Sequence, residues 1–172
     1  MGLIATAEEY WGERKDWSYY RTAVAFALEF APQAQTVIEV GPRDTPFLEL
    51  INWVPSKTAL DRYFKPNIRG ATNLQGDFMK FEPPQPFDLV FCLQVLEHLH
   101  APDAFAQKLL RTGKTVIISV PYKWREGHCK WHVQDPVTEE KLLGWTNKAW
   151  LKSSVLKDEG AERLVTVFEG IP

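Results

Sequence analysis

The sequence predicts an α/β protein, a doubly wound and mostly parallel sheet with helices on both faces. Three observations predict it. Strand-like and helix-like segments alternate along the 172 residues, with short connections between them. The central strand over 89–93, Leu-Val-Phe-Cys-Leu, is apolar on both faces, as a parallel strand covered by helices must be. Hydrophobic residues make up 45% of the chain and aromatics 13%, enough to bury a core and to exclude disorder as the main state.

Taken in order, the first helix opens at Asp16 or Ser18. It carries Tyr20, Val24, Leu28 and Ala31 on one face, and Pro32 ends it. The β-branched run 36–40 is a buried strand. Asp44-Thr45-Pro46 is a helix start, with Thr45 as N-cap and Pro46 at the first helical position, and Pro55 stops that helix early. Strands follow at 58–61 and 73–75, then a rigid proline loop at 82–86 and the central strand. The next helix turns Phe105, Leu109 and Leu110 inward. Lys108 and Arg111 lie in its last turn, and Gly113 suits its C-cap. A buried strand covers 116–120, and Asp135-Pro136 or Thr138 opens a further helix to about Trp145. Two weaker strands, 153–156 and 164–168, meet at Glu159-Gly160. The chain reads as one domain over 1–172, with an N-terminal helical segment or lid over 1–33 and a core over 34–172.

Composition narrows the function. Lys and Arg total 20 against 22 Asp and Glu, a net charge of −2, so bulk electrostatics disfavour a nucleic-acid partner. Two cysteines cannot build a disulfide framework and suit a reducing cytoplasm. The N-terminus lacks the basic start and apolar core of a secretory signal. No apolar run approaches the roughly 20 residues a membrane helix needs.

In such sheets ligands bind beyond the carboxyl ends of the strands. Those ends carry Glu39-Val40-Gly41, Asp61, Gly76-Asp77-Phe78 and Leu93-Gln94. A carboxylate after the second strand can accept both hydroxyls of a ribose. Asp77 can accept from an exocyclic amine, and Phe78 can lie against a purine. Singly, Asp61 and Asp77 read equally well as ordinary turn acids. Jointly, with Glu39 and Gly41 upstream, they make a nucleoside site, provided that 39, 61 and 77 line one crevice.

With these segments, the chain resembles the class I S-adenosylmethionine-dependent methyltransferases, most of all the ubiquinone-biosynthesis branch. Val95-Leu96-Glu97-His98-Leu99 and Val116-Ile117-Ile118-Ser119-Val120-Pro121 belong to the same ordered set, which spans about 36–143. The resemblance implies a Rossmann-like seven-stranded sheet with its last strand antiparallel. It implies S-adenosylmethionine as cofactor and methylation of an oxygen or nitrogen on a small-molecule acceptor. Glu39 and Gly41 would lie under the methionine part, Asp61 would hold the ribose, Asp77 and Phe78 would face the adenine, and Leu93 and Gln94 would floor the sulfonium. The first loop departs from the pattern. It reads Gly41-Pro42-Arg43-Asp44-Thr45, with one glycine where the family has several. A Cβ-free backbone approaches a ligand more closely. Arg43 is either a partner for the methionine carboxylate or a solvated loop residue, and the helix start at Pro46 would aim its positive end there. The missing glycines also argue against a dinucleotide enzyme. They favour one alternative, a non-catalytic scaffold with a degenerate loop. A further alternative is an RNA methyltransferase using Lys123, Arg125 and Lys130 as a basic-aromatic patch.

The segment 122–132, rich in aromatics and carrying His128, Cys129 and His132, follows the fifth strand. It reads as an acceptor loop with a histidine base, the candidates being His98, His128 and His132. It reads equally as structural packing. A third reading is a metal set, either His128, Cys129 and His132, or Glu97 and His98 with a later histidine. The latter is similar to that of small-RNA 3′-end methyltransferases, which place a carboxylate where this chain has Gln94. The expectation is therefore no metal. Cys92 is expected as a buried core thiol. The acceptor pocket must come from the N-terminal segment and this loop, with a homodimer as one way to complete it.

Overall fold

The computed structural model describes residues 7–43 and 45–172, with side chains from residue 11 onward. Seven strands form one sheet: β1 (Thr36–Val40), β2 (Ser56–Asp61), β3 (Thr72–Gln75), β4 (Phe87–Leu93), β5 (Gly113–Pro121), β6 (Lys152–Asp158) and β7 (Ala161–Glu169). Their order across the sheet is β3-β2-β1-β4-β5-β7-β6. The pairs from β3 through β5 are parallel. β7 enters antiparallel to both β5 and β6. The carboxyl ends of β1 to β5 therefore share one rim, and the β6–β7 hairpin stands at that same rim.

The helices are α1 (Ala7–Arg14), α2 (Ser18–Phe30), α3 (Pro102–Thr112) and α4 (Glu139–Thr146). Alternation along the strands sends side chains to two cores. Ile38, Val90, Ile118 and Phe168 pack with Phe105 and Leu109 of α3 and with Leu142 and Trp145 of α4. Val37, Phe91, Ile117 and Val167 pack with Tyr20, Ala23 and Phe26 of α2. No helix among the described residues is long and apolar enough to cross a membrane.

Every expected strand is present. The helices differ at five points. The buried stripe of α2 is Tyr19, Tyr20, Ala23, Phe26 and Ala27, while Leu28 is 48% exposed. Neither Asp16 nor Ser18 caps it. Trp17 is the N-cap residue and makes no side-chain bond. The cap comes from far away. Asp158, at the end of β6, accepts from the Ser18 backbone N–H at 2.7 Å and hydroxyl at 2.8 Å, and from the Tyr19 N–H at 3.4 Å.

The helix expected after Pro46 is a four-residue 3-10 turn, Phe47–Leu50. Thr45 does not cap it, because its hydroxyl donates to the Pro42 carbonyl instead. Asp44 lies outside the described residues. So short a turn has no appreciable dipole to offer a ligand. Gly113 is no left-handed cap either. Its backbone is extended, and a Cβ there would stand 2.5 Å from Val90 Cγ2 and 2.8 Å from the Phe87 carbonyl. Glycine is needed there so that α3 can turn directly into β5. Finally, Lys108 is not in the last turn of α3, where Arg111 is the basic residue, and it is buried. Its ammonium donates to the Met79 carbonyl at 3.1 Å and to Glu82 at 2.7 Å.

Candidate active site

Glu39 neighbours Ala59 across β1 and β2. Side chains two apart on a strand share a face, so Glu39, Ala59 and Asp61 point to the α2 side. Glu39 is buried and its Oε2 has no hydrogen-bond partner. Burial first, and then the negative charge of Asp61, push its carboxyl well above the ordinary range. Gly41 continues the ladder, its N–H donating to the Leu60 carbonyl at 2.8 Å. Its φ is +79°, and a Cβ there would lie 2.7 Å from Val95 Cγ2.

The glycine-poor loop is a tight turn folded over Asp61. The Pro42 carbonyl accepts the Thr45 N–H at 3.0 Å. Arg43, at φ +54°, donates its N–H to Asp61 Oδ2 at 2.9 Å. Asp61 Oδ1 accepts from Tyr63 N–H at 2.9 Å and Phe64 N–H at 3.2 Å. Of the roughly four acceptor positions on a carboxylate, three are thus used. Arg43 is exposed, and its guanidinium stands 5.5 Å over the Phe64 ring.

One strand over, Gly76 N–H donates to the Asp61 carbonyl at 2.8 Å, which sets Asp77 on the same rim. Asp77 Oδ1 accepts from Met79 N–H at 2.9 Å, and Oδ2 lies 3.8 Å from Arg62. Phe78 is a correction. It is 3% exposed, its ring packs on Phe105 at 4.8 Å, and the Lys108 ammonium stands 5.6 Å from its face. Neither face is open to an adenine. At the end of β4, Leu93 is buried and Gln94 adopts φ +58°. The Gln94 N–H donates to the Ser119 carbonyl at 2.9 Å, and its Nε2 to Ser119 Oγ at 3.2 Å. Cys92 is a core thiol as expected, held protonated by burial.

The histidines divide. His98 and His132 meet at 4.8 Å between ring centroids. His98 Nδ1 donates to the Trp131 carbonyl at 3.0 Å, and His132 Nδ1 to Asp135 Oδ2 at 2.8 Å. Glu97 lies between them and is 1% exposed. Its Oε1 is 3.9 Å from His98 Nε2, and neither oxygen has a hydrogen-bond partner. Burial lifts its carboxyl to about 8, with Asp135 adding to the rise and Arg163 opposing it. Burial lowers His132 against the opposing pull of Asp135. His128 stands apart, exposed and edge-on to Trp124 at 4.8 Å. It lines a groove of about 600 Å³ with Tyr122, Trp124 and the β6–β7 hairpin.

Arg163 and Asp135 border this cluster, and the sequence reading did not single them out. Arg163 is 6% exposed on β7, with its guanidinium 4.4 Å from Trp17, 5.1 Å from Tyr19 and 5.5 Å from Trp124. A lone arginine entering the apolar run Leu164-Val165 was the available signal. For Asp135 it was the three-residue spacing from His132.

A family profile described as a methyltransferase domain matches residues 10–147. No curated protein matches the chain. Among solved structures, it is similar to the 1,6-didemethyltoxoflavin-N1-methyltransferase of Burkholderia thailandensis, determined with 1,6-didemethyltoxoflavin and S-adenosylhomocysteine. The TM-score is 0.72 at 15% identity, covering 100% of this chain and 93% of that one. It is similar to the N-methyltransferase NodS of Bradyrhizobium japonicum with S-adenosylhomocysteine, at TM-score 0.69 and 13% identity, covering 98% and 94%. An amino pentose methyltransferase of Micromonospora echinaspora gives 0.64 and 13%, covering 97% and 98%.

Proposed function

The chain belongs to the methyltransferase-domain family, and from that premise we propose that it moves a methyl group from S-adenosylmethionine to an oxygen or nitrogen of a small organic acceptor. The carrying observation is Glu39: a buried carboxyl with an unpartnered oxygen, beside Asp61 on one face of the rim. A buried unpaired acceptor is costly until a donor or cation meets it, and the methionine ammonium is such a group. The residues fit the cofactor on that ground. Gly41 brings its backbone close, Arg43 reaches the methionine carboxylate, Asp61 takes a ribose hydroxyl on its remaining acceptor position, and Asp77 accepts from the adenine amine. Leu93 and Gln94 form the floor between the two halves of the site.

The cofactor, when bound, supplies an electrophilic methyl on a positively charged sulfur. The chain's own work is to orient the acceptor, exclude water and take a proton. The groove beside Trp124 seats the acceptor, and His128 receives the proton of an acceptor hydroxyl. The N-terminal segment from residue 11 onward walls the rim, with Trp17 and Tyr19 against Arg163 and Trp11 against Tyr20. The whole of 1–172 acts as one domain. A solved structure of the same fold that carries 1,6-didemethyltoxoflavin, and another described as an amino pentose methyltransferase, support a small acceptor, and two free cysteines support a cytoplasmic setting.

The occupied Asp61 carboxylate favours a second reading, a scaffold that no longer holds cofactor. Calorimetric titration with S-adenosylhomocysteine separates the two. Micromolar binding that is lost in Asp61→Ala is expected. Absence of binding by the wild-type chain overturns the enzymatic reading.

A further inference from the structure

We propose that Glu97, His98 and His132 hold one divalent transition-metal ion, zinc by preference, through a carboxylate oxygen and two imidazole Nε2 atoms. One ligand atom from each residue lies within 4.8 Å of the other two. Around a zinc ion with bonds of roughly 2.0–2.1 Å, ligand atoms sit about 3.3 Å apart, so the 3.9 Å between Glu97 Oε1 and His98 Nε2 needs only a small contraction. The His98 side chain is 40% exposed and is free to make it.

The stronger argument is donor bookkeeping. Both imidazoles spend Nδ1–H on a fixed acceptor, the Trp131 carbonyl and the Asp135 carboxylate. A neutral imidazole whose Nδ1 carries the proton presents a bare lone pair at Nε2. Two such lone pairs and a buried carboxyl with neither oxygen hydrogen-bonded therefore lie close together, with at most the carboxyl's own proton to share among them. Arg163 does not resolve this. It is held among aromatic rings, with its own Nε and Nη1 unpaired. A cation is the species that satisfies every group at once. The Nδ1 partners are the outer supports that metal-binding histidines use to fix ring and tautomer.

The donor set also selects the metal. Two nitrogens and one carboxylate suit zinc or iron(II), whereas magnesium prefers an all-oxygen shell. Gln94 does not add a fourth ligand, because its amide is bonded to Ser119. Three ligands with one exposed flank leave a coordination position open toward the rim, the pattern of a reactive rather than a structural site. An acceptor oxygen is the group that would fill it.

The test needs no methyl donor, so its outcome is independent of the methyl-transfer reading. Chelator-stripped full-length protein is titrated with Zn²⁺ alone by calorimetry, and with Mg²⁺ in parallel. Histidine ring resonances are followed by NMR. One Zn²⁺ per chain is expected, with shifts confined to His98 and His132. Glu97→Gln should abolish tight binding, and Asp135→Asn should weaken it about 10–100-fold through His132. Cys129→Ser and His100→Ala should change nothing. No zinc uptake, a preference for magnesium, uptake retained in Glu97→Gln, or shifts at His100 or His128 instead would each overturn the assignment. The NMR result on wild-type protein stands even if a variant fails to fold.

Discussion

Glu39 carries a pH signature of its own. Its folded carboxyl titrates well above the ordinary range because burial and then Asp61 oppose its ionisation. The folded chain therefore keeps a proton that the unfolded chain has released. Stability must fall as pH rises from the ordinary carboxyl value toward the folded one, with a slope approaching about 1.4 kcal/mol per pH unit for one proton. Glu39→Gln should flatten that slope in denaturant titrations across pH. If an ammonium binds beside Glu39, affinity for S-adenosylhomocysteine should rise with pH over the same window, and the Gln variant should lose this dependence. Gly41 gives a second prediction. Its positive φ and the 2.7 Å approach of Val95 make Gly41→Ala cost about 1–3 kcal/mol in urea unfolding. Adding Val95→Ala should relieve the clash and leave the backbone strain. The sequence made Gly41 and Glu39 legible, since a strand ending in Glu-Val-Gly is visible without coordinates. It did not reveal that Arg43, Tyr63 and Phe64 would occupy three of the acceptor positions of Asp61, because backbone N–H groups have no letter in a sequence.

At the scale of elements, β1 is anchored to β4 by Asp88. Its Oδ2 accepts from the backbone N–H of Gln35 at 2.8 Å and of Thr36 at 3.1 Å, and its Oδ1 accepts from Lys114 at 2.8 Å. The Lys114 hydrogen bond leads in holding its carboxyl down at about 2. A depressed carboxyl contributes stability that is present above its unfolded value and lost as pH falls toward 2. Asp88→Asn should therefore lower stability at neutral pH by about 1–2 kcal/mol and leave the melting temperature nearly unchanged relative to wild type near pH 2. The central strands β1, β4 and β5 were legible because their runs are apolar and, in β1 and β5, rich in β-branched residues. The stretch after Pro46 was misread because Thr-Pro matches a helix start, while the Thr45 hydroxyl has a nearer acceptor in the Pro42 carbonyl. The stripe of α2 was misplaced because Leu28 satisfies helical spacing as well as Ala27 does, and only packing against β5 to β7 decides between them.

For the whole molecule, the two-sided core followed from alternation and the seven-stranded sheet with an antiparallel last strand from a family resemblance, and both are present, while the order of the strands came from the structure. Three of the expected site positions, 39, 61 and 77, reach one rim. The Glu97–His98–His132 cluster was readable only as one option among several, because His132 lies 34 positions beyond His98 and spacing alone cannot say which histidine returns. Cofactor binding should stabilise the folded chain by linkage, about 2.7 kcal/mol at a ligand concentration of 100 times Kd. Thermal melts with S-adenosylhomocysteine should therefore shift upward, and Asp61→Ala should remove the shift. Asp158→Ala should unfold α2 first, because the cap lost there is normally worth about 1 kcal/mol. Amide exchange near Ser18 and Tyr19 should quicken before that of β4 or β5.

The Asp158 clasp has one more consequence. The carboxylate that finishes the start of α2 lies 140 positions downstream of Ser18. A ribosome delivers the helix long before the group that closes its open end. During synthesis α2 must wait with its first amides facing water, so the β6–β7 hairpin acts as the latch on a step that began with α2. A chain cut before residue 158 would leave that latch permanently undone.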